Sequence, residues 1–208
     1  KKLRELGFSR ENVIESLFTF DFKPQERHYT REQLGLPEDR FLVAVVGGRL
    51  DQEVTDDFLH AVLESHFSAH LVFIGPLSRY EEMKARHDRL GRSSTALGFQ
   101  DDVLAVLEVC DLYANPRRAG GGSSAAEALY KGLPVVTLNF GDVAVAAGPD
   151  FTVQSYEEMT AAIRRYVEDK HYYAVMSAKG RERAEQLMST ESEFVKIVQA
   201  VRSSPLFE

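Results

Sequence analysis

The stretch FLVAVVGG (residues 41–48) is an unbroken apolar run, rich in valine, that ends in two glycines. A run of this kind predicts a strand buried on both faces, as in a parallel sheet covered by helices. Strand patterns recur at 70–75, 95–98, 111–115 and 134–138, with helix patterns between them. This alternation predicts an α/β fold: a Rossmann-like, doubly wound and mostly parallel sheet with flanking helices.

The segments outside this core carry patterns of their own. Near the amino terminus Phe18, Phe20 and Phe22 alternate with polar residues, which predicts a half-buried strand. A helix is predicted at about 79–90, capped by Ser78 and Glu81.

Beyond residue 155 the pattern is helical to the end, with helix starts at Ser155 and Thr190. We expect residues 1–25 to be a linker or edge segment from a preceding half, and residues 26–208 to form one domain with a helical C-terminal tail. The chain does not begin with methionine, which indicates a piece of a longer protein.

Composition limits the function classes. The 208 residues carry a net charge of −7, which disfavours nucleic-acid binding because that function needs a basic face. The single cysteine, Cys110, excludes an internal disulfide and is expected to be a buried, inert thiol. No run of about 18 apolar residues and no leader pattern occurs. We therefore expect no transmembrane segment and a cytoplasmic location.

The loop NPRRAGGGSS (residues 115–124) differs from the acidic remainder, because no acidic residue lies between Asp111 and Glu127. In a doubly wound sheet the first and fourth strands are neighbours, so this loop should face the loop after FLVAVV. Glycines at 120–122 permit close backbone approach and positive φ. A helix that Ser123 or Ser124 opens would present unpaired N–H groups to a phosphate.

Arg49, in the loop after the first strand, supplies a full positive charge and can bind a diphosphate through two N–H groups. Arg117 and Arg118 are further candidates. The alternative is that the glycines form only a turn and that Arg49 pairs with Asp51 or Glu53.

Glu127 allows two interpretations. Its spacing from Ser124 is that of a capping box, in which the carboxylate binds the first amides of its own helix. It can equally lie one turn below a phosphate site and accept two ribose hydroxyls.

Other kinds of site are not supported. His66 and His70 have the spacing of metal ligands on a helix, but the strand that begins at His70 argues against one, so we expect no metal. The glycines after the first strand lack the dinucleotide-binding fingerprint, and Ser123 lacks the surroundings of a hydrolase nucleophile.

Four segments together resemble the carboxyl-terminal, nucleotide-sugar-binding half of group 1 glycosyltransferases, which have the GT-B fold. They are GRLDQEVTDDFLHAVL, HLVFIG, LGFQDDVLAVLEVCDLYANP and GGGSSAAEALYKGLPVVTL. The resemblance implies the donor domain of a hexosyltransferase-type enzyme that binds a UDP- or GDP-sugar and requires no further cofactor.

The resemblance also implies roles for individual residues. Arg49 would act in catalysis by contacting the diphosphate, the glycine and serine loop would hold the phosphates, Glu127 would bind the ribose, and the stretch after Gly98 would line the base. The predicted donor-binding residues are Gly48, Arg49, Gly98, Phe99, Arg117, Arg118, Gly121, Gly122, Ser123, Ser124 and Glu127.

Two positions depart from the family pattern. Many members carry a lysine five residues after the arginine and a glutamate eight residues before the ribose glutamate, where this chain has Val54 and Ala119. These departures keep two rival functions open: a non-catalytic, partner-binding relative of the transferases, and a sugar-nucleotide epimerase of the same fold.

The resemblance places the acceptor site on a second half of the enzyme, for an acceptor glycan, lipid-linked sugar or protein. This chain alone is then expected to bind nucleotide with little or no turnover. On the final helix Phe194, Ile197 and Val201 are spaced to pack either on that half or on the helix's own sheet.

Overall fold

The structure is a computed structural model that describes residues 5–8, 13, 16, 18–22, 24–66 and 68–203. Its centre is a six-stranded sheet with the order β3-β2-β1-β4-β5-β6, in which every pair of neighbouring strands is parallel. The strands are β1 (Phe41–Val46), β2 (Ala69–Ile74), β3 (Ser94–Gly98), β4 (Leu112–Asn115), β5 (Val135–Leu138) and β6 (Thr152–Val153). The prediction of a Rossmann-like sheet is confirmed.

The helices between and after the strands are α1 (Leu50–Glu53), α2 (Asp56–Leu63), α3 (Tyr80–Arg86), α4 (Asp88–Arg92), α5 (Val103–Leu107), α6 (Gly122–Tyr130), α7 (Gly141–Ala147), α8 (Tyr156–Glu168), α9 (Lys170–Met188) and α10 (Thr190–Arg202). Helix α2 packs against α8, whereas α6 packs against α7 and α9. The sheet between these layers is covered at its centre, where β1 is buried from Leu42 to Val46 and all residues of β4 are buried.

The predicted strand at Phe18–Phe22 is wrong for the residues that the structure describes, 18–22, since none of them pairs as a strand. Instead the N–H of Phe20 donates to the carbonyl of Leu187 at 2.8 Å. The rings of Phe20 and Phe22 stack at 6.1 Å, and Phe22 lies 5.0 Å from the ring of Tyr130. The aromatic alternation therefore reflects packing on α6 and α9 and not a place in the sheet.

The predicted helix at 79–90 is interrupted at His87, which separates α3 from α4. Its predicted cap is also wrong, because the hydroxyl of Ser78 donates to Asp51 at 2.7 Å. The cap at Ser155 is confirmed, since its hydroxyl accepts the N–H of Glu158 at 3.2 Å. Helix α10 does begin at Thr190, but no side chain caps it.

The start of the predicted domain contacts the residues that directly follow helices α5 and α6. Gln25 and His28 contact the carboxylate of Glu108 at 2.6 and 2.7 Å, and Lys131 contacts it at 3.1 Å. The hydrogen bond from Gln25, together with those from His28 and Lys131, lowers the pKa of Glu108 to about 2. These contacts agree with a domain that begins near residue 26, and the boundary itself stays a prediction.

Cys110 is buried, and that burial raises the pKa of its thiol to about 12, so the thiol is unreactive as expected. Within the described parts of the chain, no helix combines the length and the apolar character that a membrane crossing requires. Helix α10 has no buried residue, and the side chain of Phe194 is 65% exposed.

Candidate functional site

The loops after β1 and β4 lie at one edge of the sheet. Val43 pairs with Leu112 and Ala44 with Tyr113 in parallel register, so both strands end on the same side. The predicted neighbour relation between the first and fourth strands is therefore confirmed. Open sheets of this kind bind ligands at such a switch point.

The guanidinium of Arg118 joins these two strand ends. Its Nε donates to Asn115 Oδ1 and its Nη1 to Glu53 Oε2, each at 2.8 Å. Its Nη2 donates at 2.8 Å both to the carbonyl of Val46 and to the hydroxyl of Tyr113. Arg118 is only 8% exposed, so the structure gives it an internal role. Its direct contact with a diphosphate stays a prediction, which this network does not favour.

Two glycines lie against opposite parts of the same guanidinium. A Cβ at Gly47 would lie 2.5 Å from Arg118 Nη1, and a Cβ at Gly121 would lie 2.5 Å from Arg118 Nε. Gly121 also has a φ of +96°, which favours glycine. Because both backbones reach one side chain, the β1 loop and the glycine loop are held next to each other.

Helix α6 begins earlier than predicted. Gly122 is its first residue and Gly121 precedes it in a left-handed conformation, so neither Ser123 nor Ser124 opens the helix. Of the three loop glycines only Gly121 has a positive φ. The amides of the first turn have no partner within the helix. Ser123 is exposed, and its hydroxyl has no hydrogen bond to any other residue that the structure describes.

Arg49 lies at the rim of this edge, immediately before α1, and its side chain is 71% exposed. The alternative pairing with Glu53 is present, but its Nη2 is 3.7 Å from Glu53 Oε1, which exceeds a hydrogen bond. An exposed pair of this kind contributes about 0–1 kcal/mol. Glu53 makes its short contact with Arg118 instead, so the Arg49 guanidinium remains available to a ligand.

Arg117 is exposed, whereas its sequence neighbour Arg118 is buried. The guanidinium of Arg117 lies 4.4 Å from the ring centre of Phe140, and it lines a groove with His60 and Tyr156, next to helices α2 and α8. Gly122 and Ser123 line another cavity, whose lining does not include Arg117. Its contact with a phosphate stays a prediction.

Glu127 does not cap its helix, so that alternative is wrong: Ser124 is already the third residue of α6, and no side chain caps the helix. Glu127 is half-buried, and burial raises the pKa of its carboxyl to about 6. No hydrogen bond or ion pair from the described residues reaches it. A partly desolvated carboxylate without a donor is costly, and two hydroxyl donors would remove that cost.

The end of β3 offers an apolar surface at the same edge. The carbonyl of Gly98 accepts the N–H of Gly75 at 2.8 Å, which fixes the backbone there. The following side chain, Phe99, is 75% exposed. An exposed aromatic ring beside a fixed backbone can stack on a flat ligand.

The two departures from the family pattern contribute no ionisable group here. Val54 is buried at 7% exposure, directly after α1. Ala119 is exposed, and its carbonyl accepts the N–H of Asp142 at 2.7 Å. Any further charge at this edge of the sheet must therefore come from other positions.

No sequence pattern identifies the residues that hold Arg118. The sequence patterns place Glu53 only as a partner of Arg49, Tyr113 only in a strand, and Asn115 only at the junction of that strand and the glycine loop. Polar groups in an otherwise apolar buried strand were the available signal, because buried polar groups require partners. Within the described residues there is no group of three His, Cys, Asp or Glu residues that could hold a metal.

The profile of the family described as "Glycosyl transferases group 1" matches residues 26–183, well over half of the sequence. This chain belongs to the group 1 glycosyltransferases. As a family member it is a sugar-transfer domain, and its predicted GT-B relationship is confirmed. No similar sequence was found among curated proteins.

Solved glycosyltransferase structures share the fold. Anabaena Alr3699/HepE in complex with UDP has a TM-score of 0.66 at 20% identity over 83% of this chain. WaaG, a glycosyltransferase involved in lipopolysaccharide biosynthesis, has a TM-score of 0.64 at 20% identity over 80%. A mutant of S. aureus TarM in complex with fondaparinux, alpha-GlcNAc-glycerol and UDP has 0.70 at 19% over 97%. The chain spans 51%, 49% and 42% of those three chains, or about half their length.

Proposed function

We propose that this group 1 transferase domain binds the diphosphate of a UDP- or GDP-sugar between Arg49 and the first turn of α6. The observation that carries the proposal is the Arg118 network, which holds the two loops together while Arg49 stays exposed. Amides at a helix start and a guanidinium both favour phosphate oxygens. Gly48 and Ser124 complete the proposed site, and no separate cofactor is involved.

The nucleoside would lie along the same edge of the sheet. Glu127 would accept the ribose hydroxyls, because its carboxylate lacks a donor, and Phe99 with Gly98 would contact the base. Removing a hydrogen bond to a charged group costs about 1.5–3 kcal/mol. Glu127→Ala should therefore weaken nucleotide binding about 10- to 100-fold, and an unchanged affinity would reject the ribose role.

In the complete enzyme a nucleophilic group of the acceptor would form a bond to the anomeric carbon of the sugar, and the bond from that carbon to the diphosphate would break. The nucleoside diphosphate would leave, and a base on the other half of the enzyme would take the proton of the acceptor. Negative charge would grow on the diphosphate as that bond breaks, and Arg49 with the α6 amides would stabilise it. We propose a hexosyl donor, with the acceptor glycan, lipid-linked sugar or protein bound by a further part of the enzyme. On this account the present chain turns over little donor. A cytoplasmic location agrees with the free thiol of Cys110.

Calorimetric titration of the chain with UDP and with GDP tests the proposal. One of the two should bind measurably, and the nucleoside alone should bind much more weakly because it lacks the diphosphate. Arg49→Ala should weaken that binding about tenfold, as expected for one charge-assisted hydrogen bond. Arg92→Ala, which alters an exposed arginine at the end of α4, is the matched control and should bind normally.

The same titration distinguishes the proposed function from its main rival, a partner-binding relative of the transferases. Val54 and Ala119 favour a relative that binds a partner protein and no donor. A folded chain that binds neither nucleotide would support that rival and overturn the proposal. The epimerase alternative would be recognised by product analysis with the full-length protein.

A further inference from the structure

A cavity of about 360 Å³ opens beside the start of α6, within the size range of small-molecule sites. Its apolar wall is formed by Phe18, Phe20, Val145 and Ala146, and its polar side chains are Ser123 and Asp142. Apolar walls with a few polar groups are typical of sites for small organic ligands.

The cavity adjoins the glycine loop directly. The N–H of Asp142, in the first turn of α7, donates to the carbonyl of Ala119 at 2.7 Å. A Cβ at Gly122 would lie 3.3 Å from the carbonyl oxygen of Asp142. Gly122 also lines the cavity and is the first residue of α6. A ligand group attached to a diphosphate at the start of α6 would therefore reach this cavity.

The two polar side chains of the cavity have unused hydrogen-bonding capacity. Asp142 is exposed, and no described residue donates a hydrogen bond to its carboxylate. It is the cavity's single charged side chain among the described residues. A carboxylate accepts several O–H donors at once, whereas a phosphate would be repelled by it. The cavity therefore disfavours an anionic group and can accept a group that carries hydroxyls.

The aromatic wall is held in place by a backbone hydrogen bond and by contacts between rings. The N–H of Phe20 donates to the carbonyl of Leu187. The ring of Phe20 lies 5.4 Å from that of Phe18 and 6.1 Å from that of Phe22. Phe18 is 77% exposed and offers an apolar ring face at the mouth of the cavity. Such a face covers the C–H side of a sugar ring, while hydroxyls at the ring edge reach Asp142.

We propose that this cavity binds the sugar ring of the donor and that Asp142 accepts hydrogen bonds from its hydroxyls. The inference rests on the proposed function, because the sugar is positioned through its diphosphate. It makes Asp142 a residue that determines sugar affinity and selectivity. Ala119 cannot do so with its side chain, and Asp142 is held against its backbone.

Saturation-transfer NMR on the 208-residue chain with UDP-glucose and UDP as probes tests this inference, with GDP-mannose and GDP if GDP is the nucleotide that binds. Saturation should reach the sugar protons as well as the base protons. Asp142→Asn should weaken UDP-glucose binding about tenfold and leave UDP binding unchanged. Asp150→Asn alters an aspartate paired with Lys179 outside the cavity and should change neither.

A second variant reports on the cavity without relying on Asp142. The chain contains no tryptophan, so Phe18→Trp places a single indole at the cavity mouth. Its fluorescence should shift with UDP-glucose and much less with UDP. Equal responses to UDP and UDP-glucose, or equal effects of Asp142→Asn on both affinities, would overturn the inference while leaving the proposed function intact. Failure of the wild-type chain to bind any nucleotide would instead overturn both.

Discussion

Arg118 and Arg49 stand at the same edge of the sheet, yet they are used in opposite ways. The side chain of Arg118 is 7% exposed and makes four hydrogen bonds within the protein. The side chain of Arg49 is 71% exposed and makes one ion pair, at 3.7 Å. Charge alone does not identify a ligand-binding arginine. The number of internal acceptors already in contact with the side chain separates a buried, structural arginine from one that is available to a ligand.

The difference predicts separate consequences for stability and for binding. The Arg118 region supports the loops, and the rim formed by Arg49 and the start of α6 contacts the proposed ligand. Substitutions in the first region should lower the free energy of unfolding, and substitutions at the rim should alter binding.

Replacement of Arg118 is expected to have the largest effect. In Arg118→Met the carboxylate of Glu53, 11% exposed, loses its short ion pair. Removing one partner of a buried pair costs about 3–5 kcal/mol. Urea unfolding at pH 7 should show this loss, and Arg49→Ala should change the free energy of unfolding by about 1 kcal/mol at most. Similar losses in the two variants would contradict the distinction.

The contact between the glycine loop and Arg118 can be tested through Gly121. Gly121→Ala forces an alanine into a positive φ and brings its Cβ against the guanidinium, which should cost about 2–3 kcal/mol. Gly120→Ala is the matched control, because a Cβ there meets nothing within 4 Å and φ is not positive. If Gly120→Ala were as destabilising as Gly121→Ala, the packing described for this loop would be incorrect.

Glu127 should show the opposite sign, because its half-buried carboxylate has no hydrogen-bond donor among the described residues. Its pKa is raised to about 6 from an ordinary 4.5, so the folded state prefers the protonated carboxyl. Its contribution is therefore favourable below about pH 4.5 and is lost as the pH rises through 6. The free energy of unfolding of Glu127→Gln, measured relative to wild type, should therefore be about 2 kcal/mol higher at pH 8 than at pH 4.

Thermal unfolding of wild type and Glu127→Gln between pH 4 and pH 8 measures this contribution. Glu158, which accepts the N–H of Gln154, provides a control carboxylate that already has a donor. Glu158→Gln should not reproduce the gain at pH 8. If the free energy of unfolding of wild type increased relative to that of Glu127→Gln between pH 4.5 and 6, the raised pKa would be contradicted.

The sequence predicted the sheet well because its signal is local. Valine-rich runs separated by helix patterns leave few topologies, and the neighbouring position of β1 and β4 followed from them. The strand prediction failed at Phe18, Phe20 and Phe22, because alternating aromatic residues can pack against helices as well as within a sheet.

The site was harder to predict because its supports are distant in sequence. Glu53 and Val46 are 65 and 72 residues from Arg118, so no spacing rule links them. The start of α6 was predicted at the wrong residue because serine is a common capping residue, whereas here Gly121 with its positive φ directly precedes the helix. No sequence pattern marks Asp142, because only the fold brings it to Ala119.

Amide NMR of the isotope-labelled chain titrated with UDP and with uridine, or with the guanosine pair, tests the central claim most directly. The difference between the two titrations reports the diphosphate alone. We predict that this difference is confined to the amides of Gly48, Arg49 and residues 121–124, and that Arg49→Ala reduces it. Diphosphate-dependent shifts elsewhere, with these amides unchanged, would contradict the account.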